Sequence, residues 1–194
     1  MDTKRAQKAR NLQLTKEQQE IVIGTLLGDG YLDATTRGFA LRINHGIMQK
    51  AYVDWKYQKL KVFTNSPPRQ SARSYYFRTV THSYFSDLRK SFYHQHLKVL
   101  PINLLNWLTP LVLGVWIMDD GAKDYHQLRI NTQSFSQEEN GTIISILKAK
   151  LGINATLNRD KNRFRLRISA NSMSSVRQLV APYILPSMRY KLSL

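Results

Sequence analysis

Two aspartates, each at the end of an apolar segment and next to a glycine, are the residues of this chain best suited to chemistry. Asp29 follows the segment 23–28, and Asp120 follows the segment 113–119, about half the chain further on. If both segments are helices, each carboxylate lies at the negative end of a helix macrodipole, where an acid is destabilised. A bound cation would remove that penalty, and carboxylate oxygens are the ligands that Mg²⁺ prefers. The spacing therefore predicts a metal site to which each half of the chain contributes one carboxylate.

The net charge indicates the substrate of such a site. The 194 residues include 29 Lys and Arg against 13 Asp and Glu, which gives a formal net charge of +16 and a pI of about 10.2. Both halves of the chain are basic, so the charge does not come from one tail. A charge of this size and spread favours a polyanion, most often a nucleic acid. A ribosomal-type protein and a membrane-surface binder are the alternatives that charge alone leaves open.

Two lysines are related to one another in the same way as the two aspartates. Lys98 lies in a Leu-Lys-Val-Leu-Pro segment and Lys191 near the C-terminal end, and their separation is almost that of Asp29 and Asp120. Hydrolysis of a phosphodiester requires an activated water and stabilisation of the charge that develops on phosphorus. We expect both lysines to approach the same centre as the carboxylates and to supply that positive charge.

Composition excludes several other kinds of chemistry. The chain has no cysteine, which rules out disulfides, thiol nucleophiles and cysteine-ligated zinc. No uninterrupted apolar run reaches the length that spans a membrane, and the basic, polar start of the chain does not resemble a secretory signal. We interpret residues 1–14 as a basic arm that is flexible and contacts DNA, or as a weak organellar targeting segment.

The segments that carry the aspartates are predicted to be buried helices. Thr15 and Gln18 have the spacing of a capping box, so a helix should begin there and continue to about Leu27. Thr109 and Pro110 are suited to the N-cap and first position of the second helix, which Gly121 should end as a C′ glycine.

The elements after each helix repeat in the same order. The tetrapeptide Leu-Arg-Ile-Asn occurs at 41–44 and again at 128–131, each time in a segment that alternates like a half-buried strand. A helix, a strand pair and a further helix follow in both halves. The pattern predicts an α+β fold of two pseudo-symmetric αββαββα repeats, which we assign to residues 15–104 and 105–194.

The predicted strands carry side chains suited to the edges of DNA bases. Arg pairs with guanine, and Asn or Gln with adenine, while a two-stranded ribbon fits the major groove. The strand segment 163–168 places arginines on one face and apolar residues on the other. We therefore predict contacts to double-stranded DNA from Arg42, Asn44, Arg69, Arg73, Arg78, Arg129, Asn131, Gln133, Arg159, Arg163, Arg165 and Arg167.

These motifs resemble the LAGLIDADG homing endonucleases, in their single-chain branch with two motifs. The resemblance covers roughly residues 15–194, with Val22 to Gly30 as the first nine-residue motif and Leu113 to Gly121 as the second. The segment 116–121, the Asn-Thr-Gln-Ser-Phe run at 131–135 and the C-terminal segment 182–192 are similar to intron-encoded members. The resemblance implies saddle-shaped antiparallel sheets over DNA, with the two motif helices packed at the centre.

The resemblance also assigns roles to individual residues. It implies that Asp29 and Asp120 bind the metal, with the adjacent backbone at Gly28 or Asp119 itself as further ligands, and that Lys98 and Lys191 are the active-site lysines. It implies Mg²⁺-dependent cleavage of both strands of a long DNA target, with Mn²⁺ as a substitute and Ca²⁺ supporting binding without cleavage. It further implies residence in a mitochondrion or chloroplast, and the internal duplication favours a monomer.

The second motif departs from the family pattern. Small residues at the third and seventh motif positions allow the helices to approach closely, and the first motif keeps Gly24 and Gly28 there, whereas the second has Val115 and Asp119. We therefore expect asymmetry, with Asp119 competing with Asp120 for the metal. The alternatives to an endonuclease are an RNA maturase that binds intron RNA on the same scaffold and a DNA-binding regulator that has lost catalysis.

Overall fold

The helices and strands alternate along the chain. The computed structural model describes residues 3–192. Its α-helices are α1 (Lys4–Arg10), α2 (Lys16–Leu27), α3 (Lys50–Leu60), α4 (Ser83–Phe92), α5 (Leu104–Trp107), α6 (Pro110–Asp120), α7 (Gln137–Leu151) and α8 (Met173–Val180). Its strands are β1 (Tyr31–Thr35), β2 (Gly38–Gly46), β3 (Arg69–Ser71), β4 (Ser74–Arg78), β5 (Tyr93–His94), β6 (Leu97–Lys98), β7 (Gly121–Asp124), β8 (Gln127–Ile130), β9 (Ala155–Asp160) and β10 (Arg163–Ile168). Short 3₁₀ turns flank α3 and α8 and follow Leu185.

The chain divides into two compact units, of which the first ends at Lys90 and the second begins at Ser91. Each unit contains a four-stranded antiparallel sheet, with the order β1-β2-β4-β3 in the first and β7-β8-β10-β9 in the second. The boundary precedes the one between residues 104 and 105 that we assign from the repeat, so the segment 91–104 belongs to the second unit.

Apart from α1 and the elements β5, β6 and α5, each half of the chain has the same order of elements. The first unit contains α2, β1, β2, α3, β3, β4 and α4, and the second contains α6, β7, β8, α7, β9, β10 and α8. The predicted α+β repeat is therefore confirmed.

One face of each sheet is apolar and buried. In β2, Leu41 and Ile43 are inaccessible to solvent and alternate with polar residues, and Leu166 and Ile168 do the same in β10. The buried faces pack against α3 in the first unit and α7 in the second. Full burial of one such aliphatic side chain contributes about 1.5–3 kcal/mol. The opposite face of each sheet is left for polar side chains.

The starts of the two motif helices are as predicted. The hydroxyl of Thr15 accepts a hydrogen bond from the amide of Gln18, and the Gln18 side chain accepts one from the amide of Thr15. Thr109 caps α6 by accepting from the amide of Val112, and Pro110 occupies the first turn.

Gly121 ends α6 for a different reason from the one that we predict. Its backbone is extended, with φ −70° and ψ 141°, so it is not a left-handed C′ glycine. A Cβ at this position would lie 2.5 Å from the carbonyl oxygen of Ile117, and one at Gly30 would lie 2.9 Å from that of Thr25. Both glycines are therefore required by the close approach of the chain to the last helical turn, and not by their φ angles.

The predicted flexible arm contains a helix. In α1, Ala6 and Ala9 are buried with Val80, and Arg5 donates a hydrogen bond to the carbonyl of Lys61. Residues 1 and 2 of the arm lie outside the described residues. Within residues 3–192, no helix is both long and apolar enough to cross a bilayer.

Candidate active site and nucleic-acid interface

Asp29 lies beyond the end of its helix. The cap residue Gly28 has φ −95° and ψ −130°, which turns the chain out of α2, and the amide of Gly30 donates to the carbonyl of Thr25 over 2.8 Å. The Asp29 side chain keeps 47% of its surface exposed. A carboxylate held on a tight turn and open to solvent is suited to bind a metal ion together with water.

A buried histidine, which the sequence motifs do not single out, stands beside Asp29. His45 Nδ1 lies 3.6 Å from Asp29 Oδ2, while the His45 side chain is only 3% exposed. His45 belongs to the buried face of β2, where the alternation of the strand places an inward side chain directly after Asn44. The strand pattern was the signal for this residue, because a histidine is unusual at a position that the alternation assigns to the core.

Two residues of α3 pack around His45. Lys56 is completely buried, and its Nζ lies 3.4 Å from His45 Nε2 and 4.3 Å from the centre of the Tyr52 ring. The Tyr52 ring is also next to His45, with 5.2 Å between the ring centres. A buried lysine is costly unless it is partnered, and here the imidazole of His45 and the ring of Tyr52 lie beside its ammonium.

In the second unit both aspartates are part of the helix. α6 continues through Asp120, so Asp119 and Asp120 occupy its last turn. Asp119 is 7% exposed and Asp120 is half-buried. The Asp120 carbonyl accepts from the amide of Asn131 over 3.1 Å, which fixes the helix end to the segment after β8.

Lys191 is positioned at the end of α6. Its Nζ donates hydrogen bonds to the carbonyl oxygens of Met118, at 2.5 Å, and of Asp119, at 2.7 Å. Lys191 is 7% exposed. A cation at the negative end of a helix is electrostatically favourable, and these bonds hold Lys191 against the backbone of the last turn of α6, the turn that carries Asp119 and Asp120.

Lys98 lies on a small hairpin. Tyr93 pairs with Lys98 and His94 pairs with Leu97, while Gln95 in the turn has φ 54°. Both predicted lysines therefore belong to the second unit, since Lys98 follows Ser91.

Gln133 shares a cavity with this hairpin. The cavity has a volume of about 680 Å³, and Lys98 and Gln133 both line it. On its wall, Glu139 accepts hydrogen bonds from the amides of Leu100 and Ser136, each over 2.7 Å. Glu139 therefore connects the segment after Lys98 to the start of α7.

The predicted DNA-contacting residues of the first unit lie on or beside its polar sheet face. Arg42 and Asn44 alternate with the buried residues of β2, and Arg42 is directly opposite Arg78 of β4. Arg69 lies on the exposed strand β3, and Arg73 in the turn before β4. The guanidinium of Arg42 stacks 5.1 Å above the ring of Tyr76.

The second unit presents a similar face. Arg129 of β8 is directly opposite Arg167 of β10, and Arg165 lies two residues earlier on the same strand. The remaining predicted residues surround these strands and are exposed or half-buried: Asn131, Gln133, Arg159 and Arg163.

Hydrogen bonds connect this face to the loop after β8. Gln133 Nε2 donates to Asp160 Oδ2 over 2.9 Å, and Arg163 donates to the carbonyl of Gln133 over 3.2 Å. The hydrogen bond from Gln133 and the nearby cations, first among them Arg165, hold the pKa of Asp160 below its usual value of 3.8. The side-chain amide of Gln133 therefore already donates a hydrogen bond to a carboxylate of the sheet.

Each polar face also contains an aspartate between two arginines. Asp33 Oδ2 lies 3.8 Å from both Arg42 Nη1 and Arg78 Nη1. In the second unit, Asp124 Oδ2 lies 3.5 Å from Arg129 Nε and 3.4 Å from Arg167 Nη2. The sequence motifs do not single out these aspartates, although their equivalent positions in the repeat were visible in the sequence.

Comparison with known proteins places the chain among nucleases of this architecture. The LAGLIDADG DNA endonuclease family matches residues 19–176. A probable intron-encoded endonuclease 1 of Wickerhamomyces canadensis is 31% identical over 92% of this chain and 85% of its own length. The cytochrome b mRNA maturase bI2 of Debaryomyces hansenii is 29% identical over 94% of this chain and 76% of its own length.

A solved structure agrees with these sequence matches. The homing endonuclease I-WcaI bound to its DNA recognition sequence is similar with a TM-score of 0.90 and 29% identity, covering 98% of this chain and 93% of that one. The family match spans most of the chain and includes both acidic motifs, Asp29 and Asp120. The chain therefore belongs to the LAGLIDADG DNA endonuclease family.

Proposed function

We propose that this protein is a site-specific homing endonuclease that hydrolyses both strands of a long double-stranded DNA target with Mg²⁺. The observation that carries the proposal is the duplicated acidic helix end, with Asp29 after α2 and Asp120 at the end of α6. Each lies in a unit whose sheet has one basic, solvent-facing side. This combination supplies both a place for a hard cation and a surface for a polyanion.

The donor set of the two acidic motifs fits Mg²⁺. The proposed ligands are the carboxylates of Asp29 and Asp120, with the backbone of Gly28 or the side chain of Asp119 as further donors, and all are hard oxygens. When bound, Mg²⁺ lowers the pKa of water and neutralises charge on the phosphate. The exposed carboxylate of Asp29 leaves room for water beside it. Mn²⁺ has similar ligand preferences and should substitute, whereas Ca²⁺ should support binding alone.

The lysines have a different task in this proposal. The ammonium of Lys191 has three N–H donors, of which two are directed to the carbonyls of Met118 and Asp119. These bonds hold its charge at the end of α6, where it stabilises negative charge that develops on the phosphate or orients the attacking water. Lys98, on its hairpin, is assigned the same role.

The two basic sheet faces form the proposed DNA-binding surface. Phosphate contacts from arginines release counterions, so log affinity should fall steeply with log salt concentration. Arg, Asn and Gln side chains on the strands are suited to base edges in the major groove. We further propose that the protein acts as a monomer, because one chain supplies both acidic motifs, and that it functions in an organelle, as expected for an intron-encoded protein.

The test is cleavage of a randomised duplex library in Mg²⁺ and in Ca²⁺. We expect wild type in Mg²⁺ to enrich one long cut site, and Asp29→Asn to bind that site without cutting it. Asp87→Asn is a matched control, because Asp87 lies exposed on α4 and pairs with Lys90. Equal cutting by wild type and Asp29→Asn would overturn the metal assignment, and absence of duplex binding would overturn the function.

The second candidate function is RNA maturation. It is favoured by the similarity to the Debaryomyces hansenii maturase, which extends over 94% of this chain. A splicing assay with the intron that encodes the protein tests it. If Asp29→Asn promotes splicing as well as wild type does, the maturase function is present and is independent of the acidic motifs. If neither protein promotes splicing, the maturase candidate is overturned.

A further inference from the structure

The aspartate between two arginines recurs at equivalent places in both sheets. Asp33 lies on β1, with Arg42 on β2 and Arg78 on β4, and the second unit repeats this arrangement. There, Asp124 lies on β7, with Arg129 on β8 and Arg167 on β10. In each sheet the two arginines are direct cross-strand partners. We call these two groups the aspartate–arginine clusters.

Folding stability does not account for both clusters. Arginines directly opposite one another repel, and a shared aspartate offsets that repulsion. The four ion-pair distances of 3.4–3.8 Å are longer than good hydrogen bonds, and ion pairs at a protein surface typically contribute only about 0–1 kcal/mol. Replacement of one arginine by a neutral residue would remove the repulsion more simply.

A carboxylate on this surface also opposes DNA binding. The chain has only 13 acidic residues against 29 basic ones, and a negative charge on the basic face repels phosphate. The side chains of Asp33 and Asp124 are 20% and 16% exposed, so they are less exposed than the arginines with which they pair. Each aspartate therefore restricts the orientation of its arginines, and it also lowers the general affinity of the face for DNA.

The arginines keep donors for a ligand. The side chains of Arg42, Arg78, Arg129 and Arg167 are 35%, 55%, 30% and 37% exposed, so part of each guanidinium remains open to a ligand. A guanidinium fixed by a carboxylate, with N–H groups still available, has the geometry for a bidentate contact to the O6 and N7 acceptors of guanine.

We propose that Asp33 and Asp124 are specificity-determining residues, each of which holds an arginine pair away from the phosphates and directs it to a guanine. Because the two clusters match, the target contains a G·C pair read at the equivalent position of each half. This inference depends on the proposed function, since it requires both sheets to contact duplex DNA.

The test is a comparison of base-preference profiles. Duplexes bound from a randomised library in Ca²⁺ are sequenced for wild type, Asp33→Asn, Asp124→Asn and the control Asp87→Asn. We expect Asp33→Asn to lose guanine discrimination at one position in one half of the target, by roughly tenfold or more. Asp124→Asn should do the same at the equivalent position of the other half, and the control should match wild type.

Two further variants separate this role from a purely structural one. Arg42→Lys and Arg129→Lys keep the charge but remove the bidentate fork, so each should lose the same preference as the aspartate variant of its cluster. Thermal unfolding of all variants verifies that they are folded. A gain in affinity that is uniform across sequences, or an unchanged profile, would overturn the inference while leaving the endonuclease proposal intact. Failure of wild type to bind duplex DNA would instead overturn the proposed function.

Discussion

The two units are alike in their sheets and different at the ends of their motif helices. The sheets share strand order, cross-strand arginine pairs and the aspartate that pairs with them. At the helix ends, Asp29 lies outside α2 and is exposed, whereas Asp119 and Asp120 lie inside α6 and are more buried. The similarity indicates that both sheets perform one task, and the difference indicates that the two carboxylate sites are supported in separate ways.

The residue after the repeated Leu-Arg-Ile-Asn shows this difference most directly. In the first unit it is His45, which stands between Asp29 and the buried Lys56. In the second unit it is Thr132, whose hydroxyl donates to Asn140 over 2.5 Å. Asn140 in turn donates to three backbone carbonyls and so fixes the loop that carries Gln133. The equivalent position of the repeat therefore contacts the Asp29 carboxylate in the first unit and stabilises the loop of Gln133 in the second.

The largest expected effect distinguishes the two aspartates of the second unit. Asp120→Asn should reduce the single-turnover cleavage rate about 10³-fold, because several kcal/mol of metal-dependent stabilisation of the transition state is lost. Asp119→Asn should reduce it less than about tenfold, since we propose Asp120 as the metal ligand of this motif and Asp119 only as a further donor. The rates are measured in Mg²⁺ on the selected target. If Asp119→Asn instead lowered the rate more than Asp120→Asn, the ligand role would pass to Asp119, and the metal ligand of the second unit would be more buried than Asp29.

The next effect compares His45 with Thr132. His45→Ala should lower the cleavage rate about 10–100-fold, which is the usual effect of removing a residue that supports a metal ligand. Thr132→Ala should leave cleavage nearly unchanged but destabilise the fold by about 1–3 kcal/mol, because the buried Asn140 loses a hydrogen-bond donor. Cleavage rates and urea unfolding measure both. Equal losses of activity in the two variants would contradict the separate tasks.

A smaller effect is expected at the two glycines that follow the motif helices. Gly30→Ala and Gly121→Ala should each destabilise the fold by about 1–3 kcal/mol, because the added methyl meets Thr25 or Ile117. Gly46→Ala and Gly141→Ala are matched controls, since a Cβ at either has no neighbour within 4 Å. The α7 residue Gly141 should even gain stability when replaced by alanine. If thermal unfolding shows that a control variant loses as much stability as Gly30→Ala or Gly121→Ala, the close approach of the chain is not the reason for these glycines.

The smallest effect concerns pH and the second sheet alone. Since the pKa of Asp160 is lowered on folding, its ionised form stabilises the protein fully above pH 3.8, and this contribution is lost as pH falls through the lower folded pKa. The stability difference between wild type and Asp160→Asn should therefore shrink between pH 6 and pH 3. The corresponding strand of the first sheet, β3, consists of Arg69, Gln70 and Ser71 and therefore has no counterpart of Asp160. The free energy of unfolding of both proteins is measured in urea at each pH. If the difference between them did not change with pH, the lowered pKa of Asp160 would be contradicted.

Periodic features of this fold were predictable from the sequence. The capping residues Thr15 and Thr109, the alternation of β2 and β10 and the repeated Leu-Arg-Ile-Asn depend on neighbours in the chain, and the structure confirms them. The arginine-striped strand at 163–168 likewise predicts a polar sheet face, because residues two positions apart on a strand share one side.

The supports of the site were not predictable in the same way. The contact of Lys191 with Met118 and Asp119 joins residues more than 70 positions apart, and nothing local distinguishes this lysine from a surface lysine. The extended conformation of Gly121 depends on how β7 leaves α6. The helix α1 forms because Ala6 and Ala9 meet Val80, whereas its basic composition alone favours a flexible arm. Tertiary packing decides each of these features.

The hydrogen bond between Leu100 and Glu139 has a consequence for the exchange of halves between related proteins. It attaches residues 91–104, and with them Lys98, to the second unit. A chimaera joined at residue 104, where the first sequence repeat ends, would combine this segment with the second half of another protein. The residue at position 139 would then come from that protein, and the hydrogen bond that holds the segment of Lys98 could be lost. A junction between Phe92 and Tyr93 would leave α4 whole and carry the hairpin along with its anchor. Natural shuffling and laboratory recombination should therefore favour the earlier junction.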